Sequence, residues 1–189
     1  GTTDTFTVVL NAQPDSDVII SISSADADEA TTTPATLTFT SGNWDTPQTV
    51  TVTGVDDDII DGNINSTLTV TIVDALSDDD FDGVADQTVT ATTTDDDVAG
   101  FTIAETGGST SVAETGTTDT FTIVLNAQPA SDVVFAITSS DTGEATVTSA
   151  LTFTSANWDT PQTVTVTGVD DDTIDGTISS TITVSVNDG

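Results

Sequence analysis

Clusters of aspartate are the part of this sequence with the clearest chemistry. They stand at Asp56, Asp57, Asp58 and Asp61, at Asp170, Asp171, Asp172 and Asp175, and at Asp95, Asp96 and Asp97. The chain has 28 Asp but only 4 Glu, whereas a face built for solubility alone would be expected to mix the two. Short carboxylate side chains in loops can bring several oxygens around one hard cation. These clusters therefore predict Ca²⁺ sites, with an ordinary solvated turn as the alternative for each.

A fourth acidic group has the spacing of a looped calcium site. Its aspartates are Asp78, Asp80, Asp82 and Asp86. Gly83 stands at the sixth position, where such loops turn sharply. The twelfth position is Val89 instead of the usual bidentate Glu. Calcium binding and a solvated loop are therefore both open for this group.

The net charge of the chain restricts its partners. Of 189 residues, 32 are Asp or Glu and none is Lys, Arg or His, which gives a formal net charge of −32. Self-repulsion on this scale opposes compaction, so neutralising cations must come from outside the chain. Nucleic acids and anionic membrane surfaces are excluded as partners because binding to either requires basic patches.

The composition also argues against catalysis. The chain lacks His, Cys, Lys, Arg and Tyr, which leaves few side chains for acid–base or nucleophilic chemistry. A glycoside hydrolase that uses two carboxylates is the enzymatic alternative. We expect no enzyme, because close copies of one unit favour a repeated structure over a single catalytic pocket.

The acidic clusters recur because the chain is a tandem repeat. Residues 37–62 return at 151–176 with two changes, and residues 1–14 return at 116–129 with one. The interval is 115 residues in the first stretch and 114 after a one-residue deletion. A unit copied in series is typical of proteins in which length, spacing or avidity matters.

Alternating Val, Ile, Phe and Thr residues predict strands, with no helix beyond a turn. The predicted strands are residues 100–103 continued by 111–112, then 119–126, 133–138, 151–154, 162–169 and 180–186, with the last strand of a unit at 87–94. In residues 119–126 the alternation places Phe121, Ile123 and Leu125 on one face. Seven short strands per unit predict all-β, tandem immunoglobulin-like sandwiches with Greek-key connections.

Two tryptophans are the other candidates for recognition. Trp44 and Trp158 each stand in the sequence Asn-Trp-Asp-Thr-Pro-Gln. Each indole could stack on a sugar ring, which would make the chain a carbohydrate-binding module. A Trp between two strands more often covers the core, and we favour that interpretation.

The repeat phase predicts two domains, at residues 1–97 and 98–189. The first lacks the counterpart of the first strand, and the second lacks the counterpart of the last strand. We expect neighbouring parts of a longer polymer, or an adjacent subunit, to complete both sandwiches. No Gly/Ser/Pro-rich spacer separates Asp97 from the strand that follows, so we expect bound calcium to stiffen the array.

The sequence as a whole resembles the Calx-beta repeats of large bacterial surface proteins. The resemblance is carried by VAETGTTDTFTIVLNAQP from Val112, SSDTGEA from Ser139, LTFTSANWDTPQTVTVTGVDDD from Leu151 and DDDVAG from Asp95. It implies a calcium-binding immunoglobulin-like sandwich. In the second unit it implies the ligands Glu114, Asp141, Asp170, Asp171, Asp172 and Asp175. In the first it implies Asp26, Asp56, Asp57, Asp58, Asp61, Asp95, Asp96 and Asp97.

The resemblance also implies a role. Repeats of this kind extend bacterial adhesins and extracellular fibres, so we expect a secreted or cell-surface structural protein in adhesion or biofilm formation. Its expected partners are calcium ions and neighbouring repeats, with no membrane insertion. A carbohydrate- or surface-binding adhesin module, with a surface glycan as partner, is the alternative.

Overall fold

The computed structural model describes residues 1–174 and 176–187, and these form antiparallel β-sheets. Contacts divide the chain into two compact units. The first comprises Gly1–Asp57 and Asp61–Asp95, and the second comprises Asp58–Ile60 and Asp96–Gly189. Helical structure in the described part is limited to three short 3₁₀ turns, at Asp74–Leu76, Asp79–Phe81 and Thr106–Gly108. The all-β prediction is confirmed.

The first unit contains seven strands in two sheets. They are β1 (Thr3–Val8), β2 (Val18–Ser24), β3 (Ala30–Thr33), β4 (Thr36–Phe39), β5 (Gln48–Gly54), β6 (Ile64–Ile72) and β7 (Gln87–Thr93). One sheet has the order β1-β5-β3, and the other has the order β4-β2-β6-β7. All neighbouring strands are antiparallel.

The described residues of the second unit also form seven strands, but the set differs from that of the first unit. They are β8 (Phe101–Glu105), β9 (Thr118–Leu125), β10 (Val133–Ser139), β11 (Ala145–Val147), β12 (Ala150–Phe153), β13 (Gln162–Gly168) and β14 (Ile182–Val186). The sheets have the orders β11-β13-β9-β8 and β12-β10-β14. Strands β9 to β14 correspond by sequence to β1 to β6. Among the described residues, β7 has no counterpart in the second unit and β8 has none in the first.

Each unit has a core made by both of its sheets. In the second unit, Phe121 of β9 and Val164 of β13 belong to the same cluster as Phe135 of β10 and Phe153 of β12. The first unit has the same arrangement, in which Val50 of β5 packs in one cluster with residues of β2 and β4. Apolar faces from two sheets meet in each unit, which is the packing of a β-sandwich. The Greek-key path of the chain remains a prediction.

The strand alternation follows the prediction closely. Phe121, Ile123 and Leu125 are 5%, 0% and 8% exposed, whereas the intervening Thr122 and Val124 are only half-buried. Leu37 and Phe39 of β4 are likewise buried between exposed threonines. Thr serves on the outer face because a β-branched polar side chain suits a solvated strand surface.

Three details of the strand prediction were wrong. Residues 111–112 form no strand, because the Ser111 N–H donates to the Asp119 carboxylate at 2.8 Å and the Ala113 N–H to the Thr117 hydroxyl at 2.7 Å. The short strands β3 and β11 were missed, since three or four residues give too little alternation to recognise. The strand predicted at 180–186 begins only at Ile182, where its pairing with β10 begins.

Candidate metal centre

The pairing of β3 with β5 brings three carboxylates of the first unit together. The first residue of β3 pairs with the last residue of β5, and the N–H of Val55 donates to the carbonyl of Glu29 at 2.8 Å. Glu29 therefore lies beside the chain that leaves β5. Asp57 and Asp61 follow within that loop, before β6 begins. The site is thus positioned by two adjacent strand ends.

These three carboxylates form a compact acidic triad. One oxygen from each of Glu29, Asp57 and Asp61 lies within 4.8 Å of the others. Glu29 is half-buried, and both aspartates are exposed. Partial burial raises the pKa of the Glu29 carboxyl above its usual value, and the charges of Asp61 and Asp57 raise it further. Oxygens gathered in this way are a donor set that fits Ca²⁺.

Asp95 reaches the same loop from the end of another strand. Ile64 at the start of β6 pairs with Thr93 at the end of β7, so the residues after β7 lie against the residues before β6. The Asp95 carboxylate accepts the N–H of Gly62 at 2.8 Å, and its own N–H donates to the Asn63 side-chain oxygen at 3.3 Å. Gly62 has a φ of +78°, a conformation that glycine adopts readily.

The other ligands predicted for the first unit lie outside the triad. The side chain of Asp26, in the loop before β3, accepts the N–H of Asp28 at 3.2 Å, and its charge helps to raise the pKa of Glu29. Asp56 and Asp58 are exposed. Asp96 is also exposed and Asp97 is half-buried; Asp58, Asp96 and Asp97 are grouped with the second unit. Only Asp57 and Asp61 of the predicted ligands belong to the triad.

The second unit repeats part of this arrangement. The N–H of Val169 donates to the carbonyl of Glu144 at 2.9 Å, as Val55 does to Glu29. Glu144 and the predicted ligand Glu114 line the same cleft of about 760 Å³. The side chain of Asp171 accepts the N–H of Thr173 at 2.7 Å. Asp175, which corresponds to Asp61, lies outside the described residues.

The remaining predicted ligands of the second unit lie in loops at the surface. Asp170 and Asp172 are exposed. Asp141 is exposed as well, and its carboxylate accepts the N–H of Gly143 at 3.0 Å. Among residues 1–174 and 176–187, the triad is the one set of three acidic side chains whose carboxylate oxygens lie within 4.8 Å of one another.

The loop with calcium-site spacing uses its first aspartate in another way. Asp78 is 7% exposed, and its two oxygens accept the N–H groups of Asp15, Ser16 and Asp80 at 2.7, 2.8 and 3.0 Å. These hydrogen bonds hold the pKa of Asp78 below its usual value, and the bond from Ser16 has the largest effect. Asp78 therefore joins the turn before β2 to the 3₁₀ turn Asp79–Phe81.

The other three aspartates of that loop are exposed. They are Asp80, Asp82 and Asp86. Partial desolvation raises the pKa of Asp82, and the nearby charges of Asp74 and Asp79 add to this. Within the described residues these side chains form no close set of three. Calcium binding by this loop stays a prediction.

Glu29 is the member of the triad that sequence reasoning missed. Glu29 belongs to none of the predicted aspartate clusters, and it precedes a strand that was not predicted. Its signal was the repeat itself, because two of the four glutamates in the chain, Glu29 and Glu144, occupy corresponding positions.

Both tryptophans cover the cores, as predicted. Trp44 and Trp158 are half-buried and pack against the clusters of the first and second units. Their carbonyls accept the N–H groups of Leu10 and Leu125, each at 3.1 Å. The backbone at each tryptophan thus holds a strand end in place, and the indole packs on the core, which is a structural use.

The fold and the acidic loops together define a class, an all-β sandwich repeat with carboxylates at its strand ends. No protein-family model and no curated protein sequence matches the chain. In the part of the chain that the structure describes, no helix is long and apolar enough to cross a membrane.

Proposed function

We propose that this chain is a structural repeat of a secreted or surface-anchored bacterial protein, and that bound Ca²⁺ stiffens it as an extender or fibre module in adhesion or biofilm. The observation that carries the proposal is the acidic triad of Glu29, Asp57 and Asp61. The sequence resemblance to Calx-beta repeats supports the same role. The chain has no enzymatic activity in this proposal.

The charge of the chain gives the physical reason for a metal. With 32 acidic residues and no Lys, Arg or His, no cationic side chain can offset the repulsion within the triad. Ca²⁺ takes six to eight oxygen ligands in flexible geometry, so carboxylates and water can complete its shell. Extracellular calcium modules bind with dissociation constants of about 10⁻⁴–10⁻³ M. Millimolar calcium outside a cell would fill such a site, and cytosolic calcium would not.

The substitution Asp61→Asn tests the proposal because its effect on the unfolding temperature should be opposite with and without calcium. In chelator the variant should unfold at a higher temperature than the wild type, since one repelling charge is removed. In calcium the order should reverse, because a ligand is weakened. Calcium at 100 times its dissociation constant should stabilise the wild type by about 2.7 kcal/mol per site. Thermal unfolding followed by circular dichroism, with and without calcium, measures both effects.

Asp45→Asn is the matched control. Asp45 is exposed and lies outside the triad, so this variant should keep the full calcium response. Magnesium should stabilise the wild type less than calcium, because it requires a stricter geometry and loses water reluctantly. If calcium shifts wild type and Asp61→Asn equally, the triad is not the site. If calcium shifts neither, the proposed function is wrong.

A further inference from the structure

Two loops of the first unit contain the same reactive dipeptide, an aspartate followed by a glycine. They are Asp61–Gly62, before β6, and Asp82–Gly83, before β7. In such a pair the glycine nitrogen can attack the aspartate side chain, because glycine has no Cβ to obstruct the approach. The structure gives the two pairs different surroundings, so their reactivity should differ.

The reaction requires only the chain and water. The glycine nitrogen forms a bond to Cγ of the protonated aspartate side chain, and the hydroxyl of that carboxyl leaves as water with the amide proton. The product is a cyclic succinimide. Water then opens the ring at either carbonyl carbon. One opening restores aspartate, and the other gives isoaspartate, in which the main chain runs through Cβ and Cγ in place of the α-carbonyl carbon.

At Asp61–Gly62 the attacking nitrogen is already engaged. The Gly62 N–H donates to the Asp95 carboxylate at 2.8 Å. A hydrogen bond to a charged acceptor is stronger than one between neutral groups. The nitrogen must give up this bond before it can turn toward the side chain of Asp61, which should slow the formation of the ring.

At Asp82–Gly83 the attacking nitrogen is free of such a bond. Among residues 1–174 and 176–187, the N–H of Gly83 donates to no other group. Both residues of the pair are exposed. A Cβ added at Gly83 would meet no atom within 4 Å, so the space beside this glycine is open.

The turn that contains this pair also allows the backbone to rotate. The N–H of Val84 donates to the carbonyl of Phe81 at 3.0 Å, which closes a β-turn with Asp82 and Gly83 at its centre. Asp82 has φ −58° and ψ −28°, as in a type I turn. A type II turn keeps the same closing hydrogen bond but needs a positive φ at the next residue, which glycine adopts readily. Rotation of the central peptide between the two turn types carries the glycine nitrogen past the aspartate side chain.

We propose that Asp82–Gly83 is a site of spontaneous covalent modification, at which aspartate converts through a succinimide to isoaspartate. Asp61–Gly62 is the same dipeptide, and its hydrogen bond to Asp95 protects it. The modification lengthens the main chain inside the turn, so the Val84 N–H loses its acceptor. This inference concerns the chemistry of the chain itself and goes beyond the proposed calcium function.

The test is incubation of the full chain at neutral pH in chelator, so that no metal ion holds either loop. Because the chain has no Lys or Arg at which trypsin could cut, samples are digested with thermolysin and the peptides are separated by chromatography. Electron-transfer fragmentation locates isoaspartate, and labelled methyl transfer by an isoaspartyl methyltransferase measures its amount. Isoaspartate should form about tenfold faster at Asp82 than at Asp61, because the Gly62 N–H must first leave a charged acceptor.

Two variants change one site each. Gly83→Ala should slow the reaction at Asp82 by about tenfold, because a positive φ is costly for alanine. Asp95→Ala removes the acceptor of the Gly62 N–H and should bring the rate at Asp61 toward that at Asp82. In concentrated urea the wild-type chain should react at similar rates at both sites, because the two dipeptides then have similar surroundings.

Amide hydrogen exchange at Val84 should be faster in the isoaspartyl form than in the unmodified chain. Equal rates at Asp82 and Asp61 in the folded chain would overturn the proposal, as would the absence of isoaspartate at Asp82. A difference between the sites that persists in urea would overturn it as well, because the fold would not be its cause. If Gly83→Ala does not fold, the comparison of folded and urea-unfolded wild type decides.

Discussion

Individual acidic side chains in this protein have opposite roles that depend on their partners. Asp78 accepts three backbone N–H groups, and its charge is thereby stabilised. Glu29 lies among other carboxylates, and its charge is opposed. The pKa of Asp78 is lowered and that of Glu29 is raised. The same residue class therefore supports folding at one loop and opposes it at another.

Asp78→Asn should destabilise the protein at neutral pH, because an amide offers one acceptor oxygen in place of two. A carboxyl with a lowered pKa contributes stability above its unfolded pKa, about 3.9, and this is lost as the pH falls through the folded pKa. The gap between wild type and variant should therefore be full at pH 7 and shrink below about pH 4. Urea unfolding across this range measures the gap. Asp80→Asn, at an exposed position in the same loop, should show no comparable loss at pH 7.

Ser66 is a second residue whose environment predicts a measurable effect. It is 2% exposed on β6, and its hydroxyl has no hydrogen-bond partner. A buried polar group without a partner costs roughly 1–3 kcal/mol. Ser66→Ala should therefore raise the free energy of unfolding by about 1 kcal/mol. The corresponding Ser180→Ala, at a half-buried position, should leave it nearly unchanged; a loss of stability in Ser66→Ala would contradict this account.

At the scale of elements, each edge strand determines how much of its neighbour is ordered as a strand. β6 begins at Ile64, where β7 pairs with it, whereas the corresponding β14 begins four residues later in the repeat. β9 extends two residues beyond its counterpart β1, and those two residues pair with β8. Nearly identical sequences thus form strands of different lengths, because the pairing partner differs.

Gly54 and Gly168 occupy corresponding positions at the ends of β5 and β13, but their backbone surroundings differ. A Cβ at Gly168 would lie 2.1 Å from the carbonyl oxygen of Ala113, whereas one at Gly54 would lie 3.5 Å from its nearest neighbour, a Thr93 methyl. Gly168→Ala should therefore cost about 1–3 kcal/mol through forced backbone movement. Gly54→Ala should change stability by no more than about 0.5 kcal/mol. Denaturant unfolding of both variants compares them, and equal losses would show that the close approach of Ala113 has no energetic weight.

At the scale of the whole molecule, net charge is the dominant variable. A formal charge of −32 with no compensating cation places every carboxylate in a repulsive field. Compact sandwiches form because two apolar cores oppose this repulsion. The protein is therefore expected to be sensitive to the ions around it.

Monovalent salt should stabilise the calcium-free protein. Raising sodium chloride from about 0.01 to 1 M shortens the screening length from about 30 to 3 Å, which weakens repulsion between surface carboxylates. The unfolding temperature in chelator should rise steadily over this range. In saturating calcium the rise should be smaller, because part of the charge is already neutralised. An unfolding temperature independent of salt in chelator would contradict a dominant role for repulsion.

The sequence by itself determined the all-β class, the repeat and the buried face of each long strand, because alternation with a period of two and near-identical copies are local properties. It also placed Asp57 and Asp61 among the candidate ligands. It could mark Glu29 only as a repeated glutamate, and not as a member of the triad, because that residue reaches the triad only through the pairing of β3 with β5. Nor could it show that Asp78 would accept three N–H groups from two separate turns. Those outcomes depend on which distant segments meet, and only the tertiary structure decides this.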